Sequence, residues 1–87
     1  MFFEVSFKER LKGLREDRDL TQLEVAQALN ITRAALANYE QGTREPDIEL
    51  LVKIANYFDI TLDYLLCRTN LKLSFKKLYA PQKKKRK

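Results

Sequence analysis

Two helix-start signals lie close together in this sequence, at Thr21 and Thr32. A threonine hydroxyl can cap the first turn of a helix, and Glu24 follows Thr21 at the spacing of a capping box. Asn30 lies between the two signals and is one of the few residues besides glycine that tolerates a left-handed backbone. The pattern therefore predicts a short helix over residues 21–29, a tight turn at Asn30, and a second helix over residues 32–40.

The rest of the first 67 residues carries the same kind of signal. Ser6 and Glu9 have capping-box spacing, Asp47 or Pro46 can open a helix, and Thr61 can cap another. Glycine and proline occur only twice each, so few positions interrupt a helix interior. The sequence thus predicts an all-α domain over residues 1–67, with five helices at 7–17, 21–29, 32–40, 47–58 and 61–66.

The composition changes after Cys67, and residues 68–87 are expected to form a basic tail. Leu71, Phe75 and Leu78 have i, i+4, i+7 spacing, which predicts a short helix near residues 71–79. Leu71 and Phe75 also alternate with Leu73, so a strand is the weaker alternative. The lysine-rich run after Pro81 is expected to be disordered.

The net charge of +5 is unevenly distributed along the chain. Residues 1–67 contain eight Lys or Arg and twelve Asp or Glu, whereas residues 68–87 contain nine Lys or Arg and no acid. The predicted domain therefore carries −4 and the tail +9, so any bulk attraction to nucleic acid depends on the tail. The tail could be a nonspecific phosphate anchor, an assembly segment, or an artificial addition to the native chain.

The side-chain inventory argues against several classes of function. The sequence has no histidine and a single cysteine, Cys67, so a histidine general base, an intramolecular disulfide and a Cys/His zinc site are excluded. No apolar run approaches the length of a membrane span, and the start of the chain lacks the basic region of a signal peptide. We expect a cytoplasmic, nucleoid-associated protein that is not an enzyme, with no cofactor, metal or membrane partner.

The order of these residues resembles the helix-turn-helix family of phage repressors and Cro proteins, also called the XRE class. The first part of the resemblance is the string Thr21-Gln22-x-x-Val25-Ala26-x-x-Leu29-Asn30-Ile31-Thr32, then Leu36-x-x-Tyr39-Glu40-x-Gly42. The second part is Pro46-x-x-x-x-Leu51-x-x-Ile54-Ala55-x-x-Phe58-x-Ile60-x-x-Asp63-x-Leu65-Leu66. The resemblance covers roughly residues 7–67 and implies a five-helix repressor-like domain that binds operator DNA, here followed by a basic C-terminal tail.

The resemblance also implies roles for particular residues. The base-reading positions of the second helix of the motif are occupied by Arg33, Ala34 and Asn38. The positions that face the DNA backbone are occupied by Thr21, Gln22, Thr32, Thr43 and Arg44, and Gln22 could also brace a side chain of the reading helix. Arg15 and Glu40 stand where the family commonly has a buried ion pair. Alanine cannot hydrogen-bond a base edge, although it can contact a thymine methyl group.

Members of the family usually bind as dimers, which implies a homodimer on a pseudo-palindromic operator in double-stranded DNA. The candidate dimer contacts are Leu62, Leu66, Leu71, Phe75 and Leu78. The leading interpretation is a transcription regulator, more specifically a repressor. The alternative is an antitoxin or anti-repressor partner module that binds another protein through the same domain and tail.

Overall fold

The computed structural model describes residues 5–79, and the regular elements in this part of the chain are helices joined by turns and loops. Its helices are α1 Phe7–Asp17, α2 Gln22–Leu29, α3 Arg33–Gln41, α4 Ile48–Phe58, α5 Leu62–Leu65 and α6 Phe75–Tyr79. The predicted all-α class is confirmed, and the first five helices begin and end within one residue of the predicted bounds. No helix in residues 5–79 is long and apolar enough to cross a membrane.

The capping residues explain why the first five helices begin where they do. The Thr21 hydroxyl accepts the N–H of Glu24 at 3.0 Å, and the Glu24 carboxylate accepts the N–H of Thr21 at 2.8 Å. The hydroxyls of Thr32 and Thr61 accept N–H groups three residues ahead, at 3.0 and 3.1 Å. Asp47 caps α4 in the same way, at 2.9 Å. Each cap satisfies a backbone donor that the first helical turn leaves without an intrahelical partner.

One hydrophobic core joins α1 to α5. Leu11 of α1, Leu36 of α3, Ile54 of α4 and Leu65 of α5 are all fully buried. Ala26 in α2 is also fully buried, and its small side chain lets α3 pack closely against α2. The core therefore fixes the two helices of the motif relative to each other.

The segment after α5 differs from its expectation. Its helix begins at Phe75, so Leu71 precedes it and the predicted i, i+4, i+7 stripe does not form on one helix. The start is fixed by Asp59 at the end of α4, whose carboxylate accepts the N–H of Lys76 at 2.8 Å and the hydroxyl of Ser74 at 2.6 Å. Within residues 5–79, strand pairing consists of one isolated antiparallel bridge between Ile60 and Ser74.

A buried arginine ties the start of the same segment to the domain. Arg10 of α1 is only 7% exposed and stacks on the Tyr64 ring, 3.9 Å from its centroid. Its guanidinium donates to the carbonyls of Tyr64 and Thr69 and, at 2.7 Å, to the side-chain oxygen of Asn70. Residues 68–79 are therefore packed on the domain by specific polar contacts. The expected disorder after Pro81 lies outside the described residues.

Candidate nucleic-acid interface

The turn between α2 and α3 is closed by backbone hydrogen bonds. Asn30 adopts the left-handed conformation, with φ 60° and ψ 43°. The N–H of Asn30 donates to the carbonyl of Gln27 at 3.1 Å, and that of Ile31 donates to the carbonyl of Ala26 at 2.9 Å. Ile31 packs against the core. These contacts satisfy the last carbonyls of α2 and allow α3 to begin four residues after α2 ends.

The three residues expected to read bases lie on the outer side of α3. Arg33 and Ala34 are exposed and Asn38 is half-buried, whereas Leu36 and Glu40 of the same helix are buried. On a helix with about 100° between successive residues, their spacing of i, i+1 and i+5 spreads them over an arc of about 140°. This outer side of α3 presents the guanidinium of Arg33 and the methyl group of Ala34 in the first turn and the amide of Asn38 in the second.

Arg15 and Glu40 form a bidentate ion pair between α1 and α3. The Nε and Nη2 atoms of Arg15 donate to the two carboxylate oxygens of Glu40 at 2.7 and 2.9 Å. The side chain of Glu40 is 3% exposed and that of Arg15 is 12% exposed. A third donor of Arg15 bonds to the carbonyl of Leu20 at 2.9 Å. Hydrogen bonding to Glu40 raises the pKa of Arg15 above its already high ordinary value, so this guanidinium stays charged.

Gln22 joins this buried pair to the exposed Arg33. Its side-chain Nε2 donates to Glu40 at 3.1 Å, and its Oε1 accepts from the Arg33 guanidinium at 3.1 Å. The opposite amide orientation would direct an NH2 group at the cationic Arg33 and the amide oxygen at the anionic Glu40. The charges of these two neighbours therefore favour the observed orientation of the Gln22 amide. The structure thus gives Gln22 a bracing geometry toward α3.

The loop after α3 brings Thr43 against Asn38. The N–H of Thr43 donates to the Asn38 carbonyl at 3.0 Å, and its hydroxyl lies 3.2 Å from the Asn38 side-chain oxygen and 3.3 Å from that carbonyl. Thr43 is exposed, as is Arg44 beside it. Sequence reasoning assigned Thr43 to the DNA backbone and missed its contact with Asn38, because nothing in the spacing indicates a bond between them.

Lys8 is a further cation near this loop that sequence reasoning did not single out. Gly42 ends α3 with φ 84°, and a Cβ placed on it would lie 2.8 Å from Cδ and 3.5 Å from Nζ of Lys8. The side chain of Lys8 therefore lies across Gly42, the residue that precedes Thr43 and Arg44 in the chain. No sequence signal identifies Lys8, since a lysine on the exposed side of α1 is usual.

The candidate dimer residues are all exposed, but they do not form one uniform cluster. Leu62, Leu71, Phe75 and Leu78 line a groove of about 520 Å³ between α5 and residues 69–79. Leu66 instead lines a smaller recess of about 190 Å³ beside Phe7 and Leu51. The groove and the recess are separate apolar surfaces, one lined by Leu62 of α5 and the other by Leu66 directly after it.

Comparison with known proteins identifies the family to which this chain belongs. The helix-turn-helix family matches residues 11–65, which contain α2, α3 and the intervening turn. The chain belongs to the helix-turn-helix family. The resemblance to phage repressors and other XRE-class regulators is thereby confirmed.

Named relatives of this helix-turn-helix protein are bacterial regulators. It is 50% identical over 60 residues to the uncharacterized HTH-type transcriptional regulator YqaE of Bacillus subtilis, covering 69% of this chain and 52% of the relative. It is 42% identical over 62 residues to the HTH-type transcriptional regulator ImmR of the same organism, covering 71% of this chain and 49% of the relative. The chain thus spans about half the length of these curated relatives.

Solved structures share the fold. A transcriptional regulator from Listeria innocua superposes with a TM-score of 0.68 at 33% identity, covering 74% of this chain and 60% of that one. The P22 c2 repressor in complex with a synthetic operator superposes with the same TM-score at 22% identity, covering 71% of this chain and 94% of that one. At that identity the second likeness shows the fold alone.

Proposed function

We propose that this helix-turn-helix protein is a sequence-specific DNA-binding transcription regulator that inserts α3 into the major groove. The observation that carries the proposal is the outward face of α3, where Arg33, Ala34 and Asn38 are accessible and Gln22 braces Arg33. Helix-turn-helix proteins read base edges with the first turns of this second helix, and the preceding helix crosses the backbone. The P22 c2 repressor, which has the same fold, was solved in complex with an operator.

The side chains of Arg33, Ala34 and Asn38 suit different kinds of contact with the bases. An arginine can donate two hydrogen bonds to O6 and N7 of guanine, an asparagine matches N6 and N7 of adenine, and a methyl group packs on thymine. Arg33 and Asn38 therefore supply direct readout and Ala34 supplies apolar contact. Only two polar groups reach the bases, so sequence-dependent DNA shape contributes the rest of the specificity.

Contacts with phosphate position the domain on the duplex. Thr21, Gln22 and Thr32 lie at the starts of α2 and α3, where free backbone N–H groups and the helix dipole favour an anion. Thr43 and Arg44 follow α3 and face the DNA backbone on the other side of the major groove from Thr21, Gln22 and Thr32. The domain has a net charge of −4, so these contacts act locally and the basic tail adds attraction that does not depend on sequence.

The protein acts as a homodimer on a pseudo-palindromic operator, in the cytoplasm and on the nucleoid. One module reads too few bases for a unique site, and two modules read half-sites about 10 base pairs apart. The accessible Leu62 of α5, Leu66 directly after it and the face around Phe75 and Leu78 supply the dimer contacts. Repression is the simplest output, because it requires only that an occupied operator overlap a promoter.

Selection of binding sites from random double-stranded DNA tests the proposal. We expect wild-type protein to enrich a pseudo-palindromic sequence. Arg33→Ala is expected to weaken binding by about 1–3 kcal/mol and to relax preference at one position of each half-site. Arg68→Ala is the control for the loss of one positive charge from the basic tail, because Arg68 is exposed and pairs with the exposed Asp63; it should not change preference at any base position. Enrichment of no sequence, or equal behaviour of the two variants, would contradict the proposal and favour a protein-binding module.

A further inference from the structure

The loop that follows α3 holds the side chain of Asn38 through Thr43. The hydroxyl of Thr43 lies 3.2 Å from the side-chain oxygen of Asn38 and 3.3 Å from its backbone carbonyl oxygen. A threonine hydroxyl has one proton to donate, so one of these two acceptors receives it. The choice between them decides how the amide of Asn38 is oriented.

The backbone carbonyl of Asn38 already has two donors. The N–H of Gly42 donates to it at 2.9 Å, and the N–H of Thr43 donates to it at 3.0 Å. These two bonds close the end of α3 and occupy both lone pairs of the carbonyl oxygen. The hydroxyl proton of Thr43 is therefore left for the side-chain oxygen of Asn38, which is also the nearer of the two acceptors.

The opposite orientation of the Asn38 amide is less favourable. It would place the NH2 group against the hydroxyl oxygen of Thr43, and among protein groups the hydroxyl proton would then have only the occupied carbonyl, at 3.3 Å. An amide carries its oxygen and its nitrogen on opposite sides of one carbon atom. The oxygen therefore faces Thr43, and the NH2 group is the part of the Asn38 side chain that is left to meet a base.

The orientation of this amide determines which base Asn38 can pair with. An asparagine that turns both amide groups to the major groove accepts from N6 of adenine and donates to N7. With its oxygen held by Thr43, the side chain of Asn38 only donates, as a lysine does, and a donor of this kind pairs with O6 and N7 of guanine. Adenine offers it a single acceptor and opposes it with the N6 donor group, so adenine pairs less well.

We propose that Thr43 is a specificity-determining residue, which holds Asn38 as a hydrogen-bond donor and makes it read guanine instead of adenine. The proposal rests on the proposed function, because it requires that α3 enter the major groove. It assigns Thr43 a part in the choice of base, and it names the base at one position of each half-site.

Selection from random double-stranded DNA tests the proposal in the full chain. Asn38→Ala identifies the position that Asn38 reads, as the one at which preference is lost. Wild-type protein is expected to select guanine there, with a dissociation constant about tenfold lower than for adenine. Thr43→Val releases the amide and is expected to bring this ratio to about one or to reverse it. Thr43→Ser keeps the hydroxyl and is expected to preserve the guanine preference within about twofold.

Nitrogen relaxation of the Asn38 side chain in the free protein gives a readout that does not depend on DNA. The NH2 group is expected to be ordered in wild type and in Thr43→Ser, because the hydroxyl holds the amide oxygen. In Thr43→Val the amide has lost that partner, so its NH2 group is expected to be mobile on the same timescale.

Three results would overturn the proposal: a base other than guanine at the Asn38 position of wild type, an unchanged guanine preference in Thr43→Val, or an equal loss of binding by this variant to operator and scrambled DNA. The last result would show that the hydroxyl of Thr43 serves a phosphate group instead of Asn38. Failure of the proposed function is distinguishable from these results. If wild-type protein selects no sequence, the proposed function fails, and the order of the Asn38 amide in the free protein still decides whether Thr43 holds it.

Discussion

Removing Arg15 is expected to destabilise the domain more than removing its partner Glu40. In Arg15→Met, the Glu40 carboxylate stays 97% shielded and keeps a single hydrogen bond, from Gln22. Leaving one charge of a buried pair without its partner typically costs about 3–5 kcal/mol. In Glu40→Met, the Arg15 guanidinium is more accessible and keeps its bond to the Leu20 carbonyl, so we expect a smaller loss of about 2–3 kcal/mol.

The double variant Arg15→Met/Glu40→Met is expected to be less destabilised than Arg15→Met alone, because neither charge is then buried without a partner. Equilibrium unfolding in urea measures all four free energies of unfolding, and their double-mutant cycle isolates the interaction between the two side chains. A loss below about 0.5 kcal/mol in Arg15→Met, or a double variant that equals the sum of the singles, would refute this reasoning about the buried pair.

Three further outcomes follow from other contacts. Thr43→Val keeps the side-chain shape but removes the hydroxyl that both lies beside Asn38 and faces the DNA backbone, so binding to scrambled DNA should weaken slightly and preference at one base position should also fall; binding titrations on an operator panel and on scrambled DNA measure both. Deleting residues 81–87 should weaken binding to operator and scrambled DNA alike and make the dependence of log Kd on log salt shallower, because fewer counterions are released; a change in sequence preference would contradict this. Hydrogen bonds from Ser74 and Lys76 hold the pKa of Asp59 below its ordinary value of 3.8, so the contribution of this carboxylate to the docking of α6 should be complete above that value and be lost as the pH falls through the lower, folded-state pKa. NMR signals of residues 75–79 followed down from pH 6 measure this, and a loss of docking well above pH 4 would contradict it.

The first five helices could be predicted because their determinants are local. Thr21 caps a donor only three residues away, and Asn30 ends α2 through its own backbone preference. The start of α6 could not be predicted in this way, because the carboxylate that caps it belongs to Asp59, seventeen residues before Lys76, and the two become neighbours only through the tertiary fold. Apolar spacing alone therefore placed that helix four residues too early.

The same distinction between local and long-range determinants applies to the candidate site. The outward face of α3 follows from helical periodicity once Leu36 is taken as the inward residue. Pairing of Arg15 with Glu40 came from the family resemblance and not from spacing, since the two residues are 25 positions apart. The contacts of Lys8 with Gly42 and of Thr43 with Asn38 depend on how α1 and the loop pack against α3. No local pattern encodes such contacts.

The bridging position of Gln22 connects the stability of the domain to its recognition of DNA. A long arginine side chain that is free in solution loses roughly 0.5–1.5 kcal/mol when an interface immobilises it. Arg33 is held in part before binding, because Gln22 accepts its hydrogen bond and is itself held by Glu40 within the buried pair. The domain has a net negative charge, so it gains little from unspecific attraction and depends on directed contacts such as this one. The buried pair thus stabilises the packing of α1 against α3 and, in the proposed complex with DNA, reduces through Gln22 the entropy that Arg33 loses on contacting a base.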